Sequence, residues 1–256
     1  MTLSRRTFLL AAGSATLAAC THAARRVATR KPVGAPRATT TTAPTLSETT
    51  TAVSGAPARF IRSGPADAGA VALTFHGSGD LGLATELLDA AHTAGVPLTI
   101  FAVGQWLDEY PDLARRVLGG GHELANHTYT HPALGRLGAT TVADEITRCR
   151  DALTRHAGGP GRWFRPSGVE VATPLMLAEA GRAGYPTVVG YDVDPRDYQD
   201  PGAQQIVARV KAGLHSGAIV SLHTGHAGTV AAFPGILGAI AAARLKAVTV
   251  HQLLDR

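Results

Sequence analysis

The sequence predicts an α/β fold, a (β/α)7-type distorted barrel, and three observations predict it. Short apolar, β-branched runs recur seven times after residue 58. Helical patterns lie between them, and strands alternating with helices of this length imply a parallel sheet. Polar, chemistry-bearing side chains collect just after the ends of the runs, where barrel enzymes place their sites. About 200 residues are enough to bury one sizeable core. An open doubly wound sheet is the alternative. No Gly-x-Gly-x-x-Gly follows the first run, which argues against a dinucleotide site.

The elements follow in order. Ala70–Phe75 is the first strand, and Ala84–Ala94 is a helix that Gly95 can close. Pro97–Val103 is the second strand; Pro111–Leu118 is a helix stopped by Gly119-Gly120-Gly121. Gly121–Asn126 is the third strand. Thr141–His156 is a helix, with Thr141 and Asp144 spaced close to a capping box. Arg162–Arg165 is the fourth strand. Thr173-Pro174 supplies an N-cap and a proline at the first helical position, with Gly181 or Gly184 as the stop. Pro186–Tyr191, Ala218–Leu222 and Ala247–Val250 are the last three strands, with helices at Ala203–Leu214 and Pro234–Leu245.

The N-terminal segment is an address. Ser4-Arg5-Arg6-Thr7-Phe8-Leu9 is a twin-arginine export pattern. The apolar run Phe8–Ala19 is short for a bilayer span. It ends in Leu17-Ala18-Ala19-Cys20, which resembles a bacterial lipobox, so residues 1–20 form the expected signal and Cys20 the expected lipid anchor at the outer face of the membrane. Residues 21–57 are rich in Thr, Ala, Pro and Arg and poor in large apolar side chains, the composition of a tether. Residues 58–256 form the domain. Charge divides at the same place: net +6 over residues 1–57 and −1 over 58–256, within a total of +5. The basicity belongs to signal and tether, so nucleic acid is not an expected partner of the domain. Cys149 has no intramolecular partner once Cys20 is an anchor, and its helical setting predicts a small buried hydrophobe.

The site rests first on Asn126-His127-Thr128-Tyr129-Thr130-His131. It offers two imidazoles four residues apart, half of a tetrahedral zinc-like site. Pro132 pushes His131 toward extended geometry and argues for a loop. H-x-x-x-H alone is weak, because such pairs are common on exposed helices. Here the other strand ends add His76 and Asp80, then Arg165 and Pro166, then Asp192, Asp194 and Asp197, and finally His223 and His226. Singly, His76 or His223 reads equally as a core histidine, and Arg165 with Asp197 as a structural ion pair. His226 and His251 read as rim or structural residues.

Together these segments resemble the NodB-homology polysaccharide deacetylases, carbohydrate esterase family 4. The resemblance covers about residues 68–255. It rests on Leu73-Thr74-Phe75-His76-Gly77, Gly121–His131, Phe164-Arg165-Pro166, Asp194-x-x-Asp197-Tyr198 and Ile219–His223. It implies that His127 and His131 bind a divalent metal, zinc by expectation, with cobalt or another divalent ion as alternatives. It implies His223 as general acid, and Arg165 as the holder of the catalytic carboxylate, paired with Asp197. The family has Thr-Phe-Asp-Asp-Gly in the first motif, where the two acids are base and third ligand. Here His76 and Gly77 stand instead. Asp80, on a Gly-Ser-Gly loop, is the expected replacement ligand, and His76 the replacement base or else a ligand.

The expected activity is metal-assisted removal of acetyl groups from an N-acetylated amino-sugar polysaccharide of the cell envelope. The alternatives are a glycan-binding lipoprotein without hydrolysis and an O-acetyl esterase.

Overall fold

The computed structural model describes residues 55–255. The expected signal with Cys20, and the expected tether up to residue 54, lie outside the described residues. In chain order the elements open with strands β1 (Arg59–Ile61) and β2 (Ala70–Gly77), helix α1 (Leu81–Thr93), strand β3 (Thr99–Ala102), helices α2 (Gly104–Glu109) and α3 (Pro111–Gly119), and strand β4 (Glu123–Asn126). Helices α4 (Ala139–Ala157) and α5 (Pro174–Arg182) and strand β5 (Thr187–Val189) follow. Helix α6 (Ala203–Gly213), strand β6 (Ile219–His223), helix α7 (Ala227–Ala242), strand β7 (Lys246–Val248) and helix α8 (Val250–Leu254) complete the order. Among the described residues no helix is long and apolar enough to cross a membrane.

Every strand pairing is parallel. The larger ladder runs β4-β3-β2-β6, and β7 joins the first residues of β2. Strand β2 is the axis: Ala72–His76 faces Ile219–His223 while Ala70–Ala72 faces Lys246–Val248. Seven of its eight residues are buried, as expected for a parallel strand covered on both faces. The second ladder is β1 with β5. Isolated bridges span the gaps between ladders: Phe164 to Asn126 of β4 and to Val188 of β5, and Val193 to Val220 of β6. The fold is thus α/β, a parallel sheet with flanking helices in the distorted, unclosed barrel arrangement, with single bridges in the gaps between its ladders. One core of Leu73, Phe75, Leu87, Ile100, Val220, Phe233 and their neighbours lies under α1, α6 and α7.

Local chemistry explains most boundaries. Asp80 caps α1 by accepting from the Leu83 N–H at 2.9 Å, so the helix starts three residues before the predicted Ala84. Thr173 and Pro174 start α5 as predicted, with Thr173 in a capping box. Three expectations are corrected. Helix α4 begins after Gly138 without a side-chain cap, so Thr141 and Asp144 make no box. Helix α7 begins at Ala227, with Pro234 inside it, and burial of Val230, Phe233, Ile236 and Ile240 outweighs the proline's missing donor. The predicted fourth strand shrinks to the bridges of Phe164. Strand β1 and helices α2 and α8 were not predicted.

Leu87 is fully buried at the centre of the α1 face. Leu87→Ala should lower stability by about 2–5 kcal/mol, read as a fall in the urea midpoint. A loss well under 1 kcal/mol would show that this core tolerates a cavity.

Candidate active site

The parallel register aligns the strand ends, so one polar residue from each meets its neighbours. His76 on β2 lies directly opposite His223 on β6, with ring centroids 4.4 Å apart. His127, one residue past β4, stacks 4.3 Å from His76, and His131 stands 4.9 Å from His127. The result is a row of imidazoles, His131–His127–His76–His223. A cleft of ≈ 390 Å³ opens on His131, His76 and His223, lined also by Tyr191, Asp194, Tyr198 and Ser221, while His127 is fully buried and does not line it.

Each ring is set by its surroundings. The Nδ1 atom of buried His127 is 2.8 Å from the Arg165 carbonyl. A carbonyl only accepts, so Nδ1 carries the proton and Nε2 the lone pair. That Nε2 is buried without a hydrogen-bond partner. Burial first, then neighbouring imidazole charge, depresses the basicity of His76, His127 and His131, with His76 and His127 held well below the ordinary histidine value. The Nδ1 of His223 donates to Asp197 Oδ1 at 2.8 Å, so its Nε2 is the atom left free. Asp197 is fully buried, and its Oδ2 accepts from the His223 N–H at 2.8 Å and the Thr229 hydroxyl at 2.6 Å. The loop reading of His127–His131 holds. Its backbone is not extended before Pro132, however: Thr128 and His131 are left-handed, with φ 68° and 60°.

Two expectations take another form: the inherited Arg165–Asp197 pairing and the replacement ligand Asp80. Arg165 does not pair with Asp197. It is 1% exposed and donates to Thr74 Oγ1 at 2.8 Å and to the Val189 and Gly190 carbonyls at 3.0 and 2.9 Å. Its guanidinium lies 4.0 Å over the Phe101 ring. Desolvation pulls its pKa down to about 9. Asp80 is not brought to the imidazoles; its carboxylate is committed to the cap of α1. The preceding loop is fixed, since Trp106 donates to the Gly79 carbonyl and Thr224 donates to that of Ser78. The place beside His76 is also closed: a Cβ on Gly77 would meet Ile100 Cγ2 at 2.7 Å and Trp106 Cζ3 at 2.9 Å.

These residues fit a divalent metal in part. The unpartnered, correctly protonated His127 and the neighbouring His131 are borderline-soft nitrogen donors of the kind zinc takes. Among the described residues no three of His, Cys, Asp and Glu form a ready metal cluster. The remaining residues of the sequence reading lie at the edge or elsewhere. Asp194 lines the cleft and accepts from the Arg196 N–H. Asp192 pairs with His215, His226 with Asp200 beside the cleft, and His251 with Asp255. Asn126, Ser167 and Glu145, which brace the histidine loop, were missed; a lone polar residue inside an apolar or helical pattern carries no sequence signal for such a role.

Comparisons with known proteins place this geometry. Residues 63–188 match the family model described as polysaccharide deacetylase. A chitooligosaccharide deacetylase of Bradyrhizobium sp. (strain ANU 289) is 38% identical over 61% of this chain and 71% of its own. A peptidoglycan-N-acetylglucosamine deacetylase of Bacillus cereus is 31% identical over 72% of this chain and 87% of its own. Among solved structures, a mutant of a carbohydrate esterase family 4 pseudoenzyme from Bacillus anthracis, with restored enzymatic activity, superposes with TM-score 0.72 at 25% identity, covering 78% of this chain and 72% of that one.

The neutral imidazoles make acid stability a test of the site. Both His76 and His127 have folded pKa values below the unfolded value, so the unfolded chain binds more protons in between. Stability is therefore full above about pH 6.5 and declines as pH falls below it, by about 1.4 kcal/mol per pH unit for each ring. Urea midpoints measured in chelator should show this decline, and His76→Gln should remove about half of it. A profile unchanged by that substitution would mean that His76 is solvated and protonates freely.

Proposed function

The chain belongs to the polysaccharide deacetylase family, hydrolases of carbon–nitrogen bonds, and from that premise we propose a metal-dependent deacetylase of N-acetylated amino-sugar polysaccharide in the cell envelope. The observation that carries this reading is the Asp197-bonded His223 on a cleft it shares with His76 and His131, whose rings flank the buried, unpartnered Nε2 of His127. His127 and His131 would hold a divalent ion, zinc or cobalt, whose chemistry when bound is to polarise the acyl carbonyl.

The protein's own groups supply the proton transfers. His76, neutral on the cleft floor, takes a proton from the attacking water. A carbon–oxygen bond forms at the acetyl carbon and the carbon–nitrogen bond breaks. His223 delivers a proton from Nε2 to the departing nitrogen, giving acetate and a free amine. Asp197 holds the His223 ring in orientation and stabilises its charged form, as a buried carboxylate does for a catalytic histidine. Tyr198, 5.3 Å from the His223 ring and half exposed, offers an apolar face to a sugar ring.

One observation favours a second reading. Neither carboxylate of the family's first motif is present, and Asp80 is engaged elsewhere. A cleft of this kind that bound glycan without cleaving it would be a binding module. The twin-arginine and Leu-Ala-Ala-Cys segments support export and lipid anchoring at Cys20. Mass spectrometry should find a mature chain beginning at a lipidated Cys20. An unmodified Cys20 behind an intact signal would remove the membrane from the account.

Acetate release from chitooligosaccharides and peptidoglycan tests the activity. His223→Ala should cut N-deacetylation by ~10²–10⁴-fold with metal content intact, and should affect O-acetyl substrates less because an alkoxide-type leaving group needs less protonation. With His76 as base, the rising limb of the pH profile should lie below the ordinary histidine range, since burial lowers its pKa. Zinc-loaded wild type that binds glycan and releases no acetate above a zinc-only control would replace the enzyme with the binding module.

A further inference from the structure

Glu145 is a buried carboxylate with no Lys or Arg among its hydrogen-bond partners. It lies on α4, 5% exposed. Its Oε2 accepts the N–H groups of Tyr129 and Thr130 at 2.9 and 2.8 Å, and its Oε1 accepts the Thr130 hydroxyl at 2.7 Å. Burying a carboxylate is costly unless such bonds replace water. All three bonds go to one place, Tyr129 and Thr130, two of the three residues between His127 and His131.

That stretch needs restraint. Thr128 and His131 both hold left-handed φ, and a β-branched residue there is a steric outlier. Strained backbone persists where its surroundings over-determine it. Thr128 is fixed from one side, its N–H on Asn126 Oδ1 at 2.9 Å and its hydroxyl on Ser167 Oγ at 3.0 Å. The carbonyls of Thr128 and Tyr129 accept from Gly104 and Gln105 at the start of α2. The Tyr129 ring lies under the Arg148 guanidinium at 3.9 Å. The successive N–H groups of Tyr129 and Thr130 remain, and they form an anion-binding concavity of the kind turns create. Glu145 fills it.

We propose that Glu145 is a positioning residue whose carboxylate clamps the Tyr129–Thr130 backbone and so sets how His131 faces His127. The proposal rests on the metal reading of those two histidines only for its first readout. Groups that orient metal ligands from behind typically change affinity by 10–100-fold when removed. Glutamine keeps the shape: its oxygen can accept both N–H groups while its amide donates to the Thr130 hydroxyl. The clamp therefore depends on acceptors in place rather than on charge.

The test compares wild type with Glu145→Ala, Glu145→Gln and Val142→Ala in the full chain. Val142 is fully buried on the same helix and makes none of these bonds, so it reports general destabilisation. Zinc titration against a competing chelator should show affinity weakened about 10–100-fold in E145A, within about threefold of wild type in E145Q, and unchanged in V142A despite a lower Tm. Wild-type zinc affinity in E145A with a Tm loss like that of V142A would overturn the proposal. If wild type holds no zinc, the metal reading falls alone, and hydrogen exchange decides for Glu145. The Tyr129 and Thr130 amides should then exchange at least about tenfold faster in E145A than in V142A, and equal protection would overturn the clamp.

Discussion

The barrel depends on one buried guanidinium. Where the sheet is least continuous, between β4 and β5, only single bridges through Phe164 join the strands. Arg165 follows immediately, and its side chain reaches the Val189 carbonyl at the end of β5, the Gly190 carbonyl just past it and Thr74 of β2. Thr74 passes the connection on to the Val220 carbonyl of β6 at 2.6 Å. The Arg165 main-chain N–H donates to the Asn126 carbonyl of β4, and the Arg165 carbonyl accepts from the His127 ring. One residue thus ties four strands and the His127 imidazole. Its bonds reach backbone oxygens and a hydroxyl rather than an acid, so carbonyl dipoles and the Phe101 ring carry the solvation that water would give.

That cation also shapes the site. After burial and the neighbouring imidazoles, its charge adds to what lowers the basicity of His76 and His127. Neutral rings present lone pairs, the state in which imidazole accepts a proton or binds a metal. His223 is set apart by its acid: Asp197 is bonded to its ring and to its main chain at once. Similar rings, side by side, therefore receive different work from their second neighbours, the carbonyl of Arg165 for His127 and the carboxylate of Asp197 for His223.

Much of this was legible in the sequence because it is periodic or locally capped. The cadence of apolar runs gave the parallel sheet, and Thr173-Pro174 fixed the start of α5 to the residue. The order of polar residues after the runs brought His76, His127, His131 and His223 to one cleft. What failed was non-local. Strand β1 is three residues without pattern, recognisable only through its pairing with Thr187–Val189. Pro234 looked like a helix start, because proline chemistry favours that place, yet tertiary packing carried α7 through it. The partner of Asp197 was assigned to Arg165 by resemblance; which of two basic side chains an acid meets is decided by how the sheet folds, which no spacing along the chain encodes. Glu145 looks like any glutamate of an amphipathic helix until the loop folds over it.

Gly77 bears on the history of such a site. Its missing side chain would run into Ile100 and Trp106, and the Ala102 backbone lies 3.1 Å from where its Cβ would be. The volume that a carboxylate would need has been taken over by the core. A Gly77→Asp change would place its side chain against that isoleucine and indole before a carboxylate could reach the cleft. Accommodating it requires Ile100 and Trp106 to shift, at a cost in packing. The packed glycine acts as a ratchet, leaving selection to work with the imidazoles the cleft already has.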